Sequence, residues 1–156
     1  MGSYTPPLAV TLCKYFEGCH KIDPFTMLVH PYVCPAGVWT IGYGTTILPD
    51  GSRVSKNTVP ITQEDATQYL LLTLDKCTEQ AIRLSPVLAQ SEQRLAAITS
   101  FIYNLGQGRY RASTLRRKVN EQDWDSARAE IKKWVYAGGR ILNGLKIRRE
   151  VESRFL

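Results

Sequence analysis

Cys34-Pro35-Ala36-Gly37-Val38-Trp39-Thr40-Ile41-Gly42-Tyr43-Gly44 (CPAGVWTIGYG) is the stretch on which the fold turns. Polar and apolar residues alternate through Val38 to Tyr43, and Gly37, Gly42 and Gly44 interrupt the run. Alternation is the mark of a half-buried strand, and glycine inside such a run marks a hairpin, a bulge or a close approach of backbone. A turn followed by a strand is therefore expected. The glycines do not form a phosphate-cradling loop, because the G-x-G-x-x-G spacing and a following Lys-Ser/Thr are both missing. The thiol of Cys34 and the hydroxyl of Thr40 stand across this stretch. They are either ordinary packing residues or groups that face a substrate.

On either side the character of the chain changes. From about Ile22 to Pro60, Pro, Gly, Thr and Val dominate. Short alternating runs occur at Thr26 to His30, Val38 to Tyr43 and Arg53 to Val54, and Pro49-Asp50-Gly51-Ser52 is a turn signal, since Asp and Gly tolerate turn backbone angles. A small antiparallel sheet is expected. Upstream, Pro6 and Pro7 suit a helix start, Leu8, Leu12, Cys13 and Phe16 give a helical stripe, and Gly18 suits a stop. Glu17 then falls in the last turn, where a carboxylate faces the negative end of the helix dipole.

Downstream of Pro60 the chain reads as helices. Thr62-Gln63-Glu64-Asp65 opens one whose apolar face runs from Tyr69 to Ile82. Ser91 caps a strongly apolar helix ending at Gly106, expected to be the central core helix. Ser113 or Thr114 opens a short basic helix. Asp123 opens another, expected to run to Gly138-Gly139, and a last helix is expected from about Gly144 to Phe155. The fold class is α+β: one domain over residues 1–156, with a small antiparallel β-rich lobe at about 20–60 and a larger helical lobe of 1–19 and 61–156. Such a shape leaves a cleft between lobes, a common place for ligands.

The chain has 156 residues, 44% hydrophobic and 22% charged, enough to bury a core without staples. The net charge of +6 attracts polyanions such as nucleic acid, anionic lipid or acidic cell-wall polymer, and does not choose among them. The clusters at Arg116-Arg117-Lys118 and Lys146 to Arg149 each read, taken alone, as a solvated helix face. Cys13, Cys19, Cys34 and Cys77 permit two disulfides without requiring them. No run of apolar residues is long enough for a transmembrane helix. Met-Gly-Ser-Tyr-Thr-Pro-Pro shows no charged segment followed by an apolar one, so no secretory signal is expected.

Cleft chemistry needs an acid, a base or a nucleophile. Glu17 is the candidate acid, because a carboxyl desolvated between helix and sheet keeps its proton closer to neutral pH; the bland alternative is a surface glutamate. Cys34 could be a nucleophile activated by His20 or His30, or a small buried hydrophobe. Cys13, Cys19, His20, His30 and Cys34 include enough soft ligands for zinc, but no Cys-x-x-Cys is present and Cys13 lies inside a helix, so no metal is expected.

Taken together, YFEG at 15–18, AGVWTIGYGTT at 36–46, SFIYNLGQG at 100–108, STLRRKVN at 113–120 and KKWVYAGGRILNGLKIRRE at 132–150 resemble the phage-type lysozymes, endolysins of glycoside hydrolase family 24. The resemblance implies a lysozyme-like fold and a Glu, Asp or Cys, and Thr triad at a cleft. Glu17 matches the glutamate at the end of the first helix, Cys34 the Asp/Cys position, and Thr40 the threonine before Ile-Gly-Tyr-Gly. Tyr43, Thr46, Tyr103 and Thr114 match positions that contribute sugar-binding side chains. Two departures stand out. The segment between Glu17 and Cys34 is about twice the family's usual length, with Lys21 to Val33 extra, and Thr45 replaces the usual histidine after Gly-Tyr-Gly.

The implied activity is hydrolysis of the β-1,4 bond between N-acetylmuramic acid and N-acetylglucosamine in peptidoglycan, which lyses the bacterial host. Glu17 would protonate the leaving oxygen, Thr40 would hold a water, and Cys34 would activate or orient that water or stabilise the cation. A free thiol is mostly neutral at pH 7, so Cys34 is expected to position more than to ionise. No cofactor, no metal and no nucleic-acid partner are implied, and a monomer is expected. Peptidoglycan is the partner; a basic last helix either closes the helical lobe, the favoured reading, or touches an anionic outer-membrane surface. That helix reads as Ile147, Val151 and Phe155 opposite Lys146, Arg148, Arg149 and Arg154. Synthesis in the host cytoplasm and holin-type release to periplasmic peptidoglycan follow from the missing signal. The rival readings are a lytic transglycosylase on a related fold, a non-catalytic basic wall- or nucleic-acid-binding protein, and a Cys–His peptidase.

Overall fold

The computed structural model describes residues 4–156. The first helix, α1, spans Pro7–Glu17 and opens with proline in its first turn. Gly18 ends it at φ +67°, a backbone angle that favours glycine, and its N–H donates to the Lys14 carbonyl at 3.0 Å. Glu17 is thus the last helical residue. The chain then forms two compact units: Val10–Thr73, and residues up to Ala9 with Leu74–Leu156.

In the Val10–Thr73 unit the regular strands are short. β1 (Tyr32–Val33) pairs antiparallel with β2 (Trp39–Thr40), in the register Tyr32 opposite Thr40 and Val33 opposite Trp39. The other pairings are single bridges: Ile22 with Val29, Val29 with Ile61, Ile41 with Thr45 and Ile47 with Arg53. The run Thr26 to His30 therefore is not a strand. Its first half closes a tight turn, in which the Asp23 carboxylate accepts from the N–H of Phe25 at 2.7 Å and of Thr26 at 3.2 Å. Side-chain capping of this kind competes with ladder formation, and it won here. The expected Pro49-Ser52 turn forms, with the Ser52 N–H donating to the Asp50 carboxylate at 2.9 Å. Val29, Ile41 and Val54 make a small core, covered by Cys19, Ile22, Trp39, Leu48 and Ile61. Gly42 lies against the second helix, α2 (Gln63–Leu84): a Cβ there would meet the Ala66 Cβ at 2.9 Å. Thr62 caps α2 by accepting from the Asp65 N–H at 3.0 Å, and Glu64 and Asp65 sit favourably in its first turn.

The helical unit is organised around α3 (Glu92–Leu105), in which every residue from Leu95 to Ile102 is buried. Ser91 caps it through the Arg94 N–H, and Gly106 ends it. Phe101, Ile98 and Ile102 pack with Leu88, Leu115, Val119, Ala127, Ile131 and Leu156. α5 (Thr114–Asn120) and α6 (Trp124–Ile131) start at Ser113 and Asp123 as the caps suggest. Two short elements were not anticipated: a 3-10 turn at Pro86–Gln90 and α4 at Gln107–Arg111. The helix opened by Asp123 stops at Ile131 rather than reaching Gly138. Gly138-Gly139 instead turn a hairpin of β3 (Tyr136–Ala137) and β4 (Arg140–Ile141).

The last helix, α7 (Asn143–Ser153), presents a different face from the one expected. Arg148 and Arg149 are buried and Ile147 is exposed. The reason is Glu152. Arg149 Nε lies 2.7 Å from its Oε1 and Arg148 Nε 3.4 Å from its Oε2, while the Ser100 hydroxyl donates to Oε2 at 2.6 Å. Arg149 also donates to Asn104 Oδ1 at 2.7 Å. Burial pushes the Glu152 carboxyl up and the Arg149 guanidinium down, each opposed by the attraction of the pair. Two of the cations expected on an outer surface are thus core residues.

Candidate active site

Cys34 follows β1 directly, and the residues to Val38 turn the chain into β2. Its own N–H donates to the Val38 carbonyl at 2.9 Å, and the Gly37 N–H donates to the Cys34 carbonyl at 2.8 Å. This tight turn aims amides at the sulfur. The Val38 N–H above all, then the Ala36 N–H and the Thr40 hydroxyl, hold the Cys34 thiol below the usual thiol range, while burial pulls the other way. Amides that bond the thiolate stabilise it without a formal charge nearby. Neutral Cys34 was the expectation from its residue type; the hairpin shifts it toward the anion. Neither histidine is among the groups acting on this thiol.

Thr40 is buried, and its hydroxyl donates to the Val38 carbonyl at 2.9 Å. The same hydroxyl reaches the Cys34 sulfur. It has one proton for two acceptors, so whichever it serves, a lone pair remains for a water O–H. The turn has therefore brought the two groups of the opening stretch together.

Glu17 is half-buried at the close of α1. Its neighbourhood is reported by Tyr32. Burial pushes the Tyr32 phenol up, and the negative charge of Glu17, then Cys34, then Cys19 adds to the rise. Tyr32 is thus the group that senses both the candidate acid and the candidate thiol. It was not singled out from the sequence. The available signal was its position two residues before Cys34, which in a strand puts both on one face. The sequence offers His20 as a partner for Cys34 or as a zinc ligand. Its ring instead packs edge-on to Tyr32, centroids 5.1 Å apart, and its Nε2–H donates to the Glu17 carbonyl at 3.0 Å.

The other four candidates are spread over the two units. Tyr43 is half-buried with Lys14 Nζ 5.4 Å from its ring centroid, and Thr46 is exposed, both in the Val10–Thr73 unit. Tyr103 and Thr114 belong to the helical unit. Tyr103 packs on the edge of the core, and Thr114 lines a recess of about 410 Å³ with Arg109, Lys133, Trp134 and Tyr136. Among the described residues, all four cysteines are free and no three of His, Cys, Asp and Glu are grouped to hold a metal ion.

Comparison with known proteins bears on the fold and the family. The phage lysozyme family model matches residues 15–152. A SAR-endolysin of Bacteriophage PS119 is 38% identical over 125 residues, covering 78% of this chain and 70% of the relative. Among solved structures, the endolysin from Escherichia coli O157:H7 phage FAHEc1 superposes with a TM-score of 0.81 at 26% identity, covering 97% of this chain and 92% of the other. The active form of P1 phage endolysin Lyz gives 0.74 at 24% identity, covering 97% and 83%, a likeness of fold. The element order, the α1–hairpin arrangement and these matches lead to one conclusion: the chain belongs to the phage lysozyme family.

Proposed function

We propose that Glu17, Cys34 and Thr40 carry the reaction of this family member, a muramidase that cleaves the glycan of peptidoglycan. The observation that supports the assignment is the Cys34–Thr40 hairpin with Tyr32 beside it, sensing Glu17 and Cys34 at once. The bond cleaved is the β-1,4 link between N-acetylmuramic acid and N-acetylglucosamine. The transition state is oxocarbenium-like, so the leaving oxygen needs a proton and the anomeric carbon needs a nucleophile and nearby electron density.

Glu17 gives its proton to the glycosidic oxygen as the C–O bond breaks. A water held by a lone pair of the Thr40 hydroxyl attacks the anomeric carbon and passes its proton to the Cys34 thiolate. Solvent then returns a proton to Glu17 and takes one from Cys34. The hairpin amides matter because they raise the thiolate fraction available for that step. Tyr43, Thr46, Tyr103 and Thr114 contribute sugar contacts in this reading, the tyrosines through ring faces that suit sugar C–H surfaces.

The enzyme acts as a monomer, on periplasmic peptidoglycan, after synthesis in the host cytoplasm and holin-type release. No helix among the described residues is long and apolar enough to cross a membrane. With Arg148 and Arg149 buried, Lys146 on α7 and Arg154 just beyond its end are the exposed cations left to touch an anionic outer-membrane surface.

The decisive experiment digests purified peptidoglycan in ¹⁸O-labelled water and weighs the muropeptides. Hydrolysis puts the label on the new reducing end. Unlabelled anhydro-muropeptides would contradict the proposal and identify a transglycosylase.

A further inference from the structure

Glu17 is the final residue of α1, and a helix end is where positions are least fixed, because the last carbonyls have no intrahelical partner. Here the Glu17 carbonyl is tied down from outside the helix, since the His20 Nε2–H donates to it at 3.0 Å. For this bond His20 must fold back onto the helix it has just left. Two features permit that. Gly18 leaves room, since a Cβ there would come within 3.3 Å of Nε2. Lys21 takes φ +58°, an unfavourable angle for a side-chain-bearing residue, and turns the chain away directly after His20.

The His20 ring also packs against Tyr32, in an edge-type contact with 5.1 Å between centroids and 61° between planes. Tyr32 is paired in register with Thr40 and stands two residues before Cys34. A continuous set of contacts therefore runs from the Glu17 backbone through two rings to the strand pair that holds Thr40 and leads directly into Cys34. His20 itself is exposed, outside the small core of Val29, Ile41 and Val54.

We propose that His20 and Tyr32 are positioning residues, a ring pair that sets the end of α1, and with it Glu17, in place relative to Cys34 and Thr40. The proposal rests on the assignment of those three residues as the reacting groups. It gives part of the extended segment between Glu17 and Cys34 a task, since His20 and Lys21 shape the return from helix to hairpin. The pair transfers no proton. Its effect on the reaction is geometric, and misplacement of a reacting group by a fraction of an ångström is enough to slow turnover.

The test measures kcat and KM on solubilised glycan strands, together with Tm, for His20→Ala, His20→Gln, Tyr32→Phe and Tyr32→Leu, with Glu17→Gln as control. His20→Ala is expected to lower kcat roughly ten-fold with KM and Tm unchanged. His20→Gln, which keeps an N–H donor, is expected to recover most of that loss. Tyr32→Phe keeps the ring contact and should stay near wild type, while Tyr32→Leu should fall with His20→Ala. Combining His20→Ala with Tyr32→Leu should add little to either alone, as befits one shared contact. Wild-type kcat in His20→Ala overturns the proposal, as does a loss confined to KM or Tm. Tyr32→Phe as slow as Tyr32→Leu also overturns it, by showing that the phenol hydroxyl is what counts. If Glu17→Gln is inactive while His20→Ala is unaffected, the ring pair alone is refuted. If Glu17→Gln is fully active, the assignment of the site itself has failed.

Discussion

Cys77, in the helical unit, and Cys34, in the hairpin unit, carry the same side chain and lead opposite chemical lives. Burial pushes the Cys77 thiol up to about 11. Cys34 is held down by the amides of its own turn. The contrast extends beyond the two thiols. The helical unit buries whole side chains, even the charged set of Arg148, Arg149 and Glu152, inside an apolar cluster. The Val10–Thr73 unit has a small cluster of Val29, Ile41 and Val54, with Leu12, Cys13, Ala66 and Leu70 also buried, and is otherwise shaped by turns, single bridges and side-chain caps. One region obtains stability from area removed from water. The other uses its backbone hydrogen bonds to aim polar groups, among them the proposed Cys34 and Thr40.

The sharpest way to break this contrast is Glu152→Ala. Removing the shared anion leaves two buried guanidinium groups without their partner, so a loss of about 3–5 kcal/mol is expected in denaturant unfolding. A loss below about 1 kcal/mol would mean that the pair acts like a surface ion pair and that the helical unit does not depend on it.

Alkylation separates the thiols next. At pH 8, iodoacetamide should react with Cys34 at least roughly a hundred-fold faster than with Cys77, from thiolate fractions alone. Because the Cys34 thiol is depressed, its reactivity should persist as pH falls below the usual thiol range and drop only through its own lowered value. Mass spectrometry of peptides after timed quenching gives both rates, and equal rates would erase the distinction.

Gly42→Ala should cost about 1–3 kcal/mol through the contact with Ala66 and the positive φ, and should disturb activity because Gly42 is two residues from Thr40. A variant of wild-type Tm would show that α2 and the hairpin yield to each other easily. The smallest effect expected is that of Ser91→Ala, about 1 kcal/mol for the lost cap of α3 with hydrolysis unchanged. An unchanged Tm would show that this cap contributes nothing to α3.

The same contrast explains what could be read from residues alone. Helices announce themselves through caps and apolar period, and Thr62, Ser91, Ser113 and Asp123 each begin the helix expected of them. The misread elements are those decided by which side-chain or backbone partner a residue finds, which period and caps do not reveal. Lys146 to Arg149 looks like a solvated cluster until Glu152 and Ser100 draw Arg148 and Arg149 inward. Gly138-Gly139 reads as a helix stop, and only the pairing of Tyr136 with Ile141 makes it a hairpin turn. In the hairpin unit, Asp23 capped a turn where an alternating run suggested a strand. The depressed Cys34 thiol was invisible for a related reason, since its cause is the direction of the Val38 N–H and not any neighbouring charge. Glu17, Cys34 and Thr40 could be named from their resemblance to a family motif; His20 and Tyr32 needed coordinates.

The account stands or falls on the acid. Release of reducing ends from purified peptidoglycan, measured for wild type, Cys34→Ser, Cys34→Ala and Glu17→Gln at matched Tm, addresses it directly. The expected series is graded: partial activity for Cys34→Ser, less for Cys34→Ala, and none detectable for Glu17→Gln. A Glu17→Gln enzyme that releases reducing ends at the wild-type rate would contradict the assignment of the acid and, with it, the mechanism built on it.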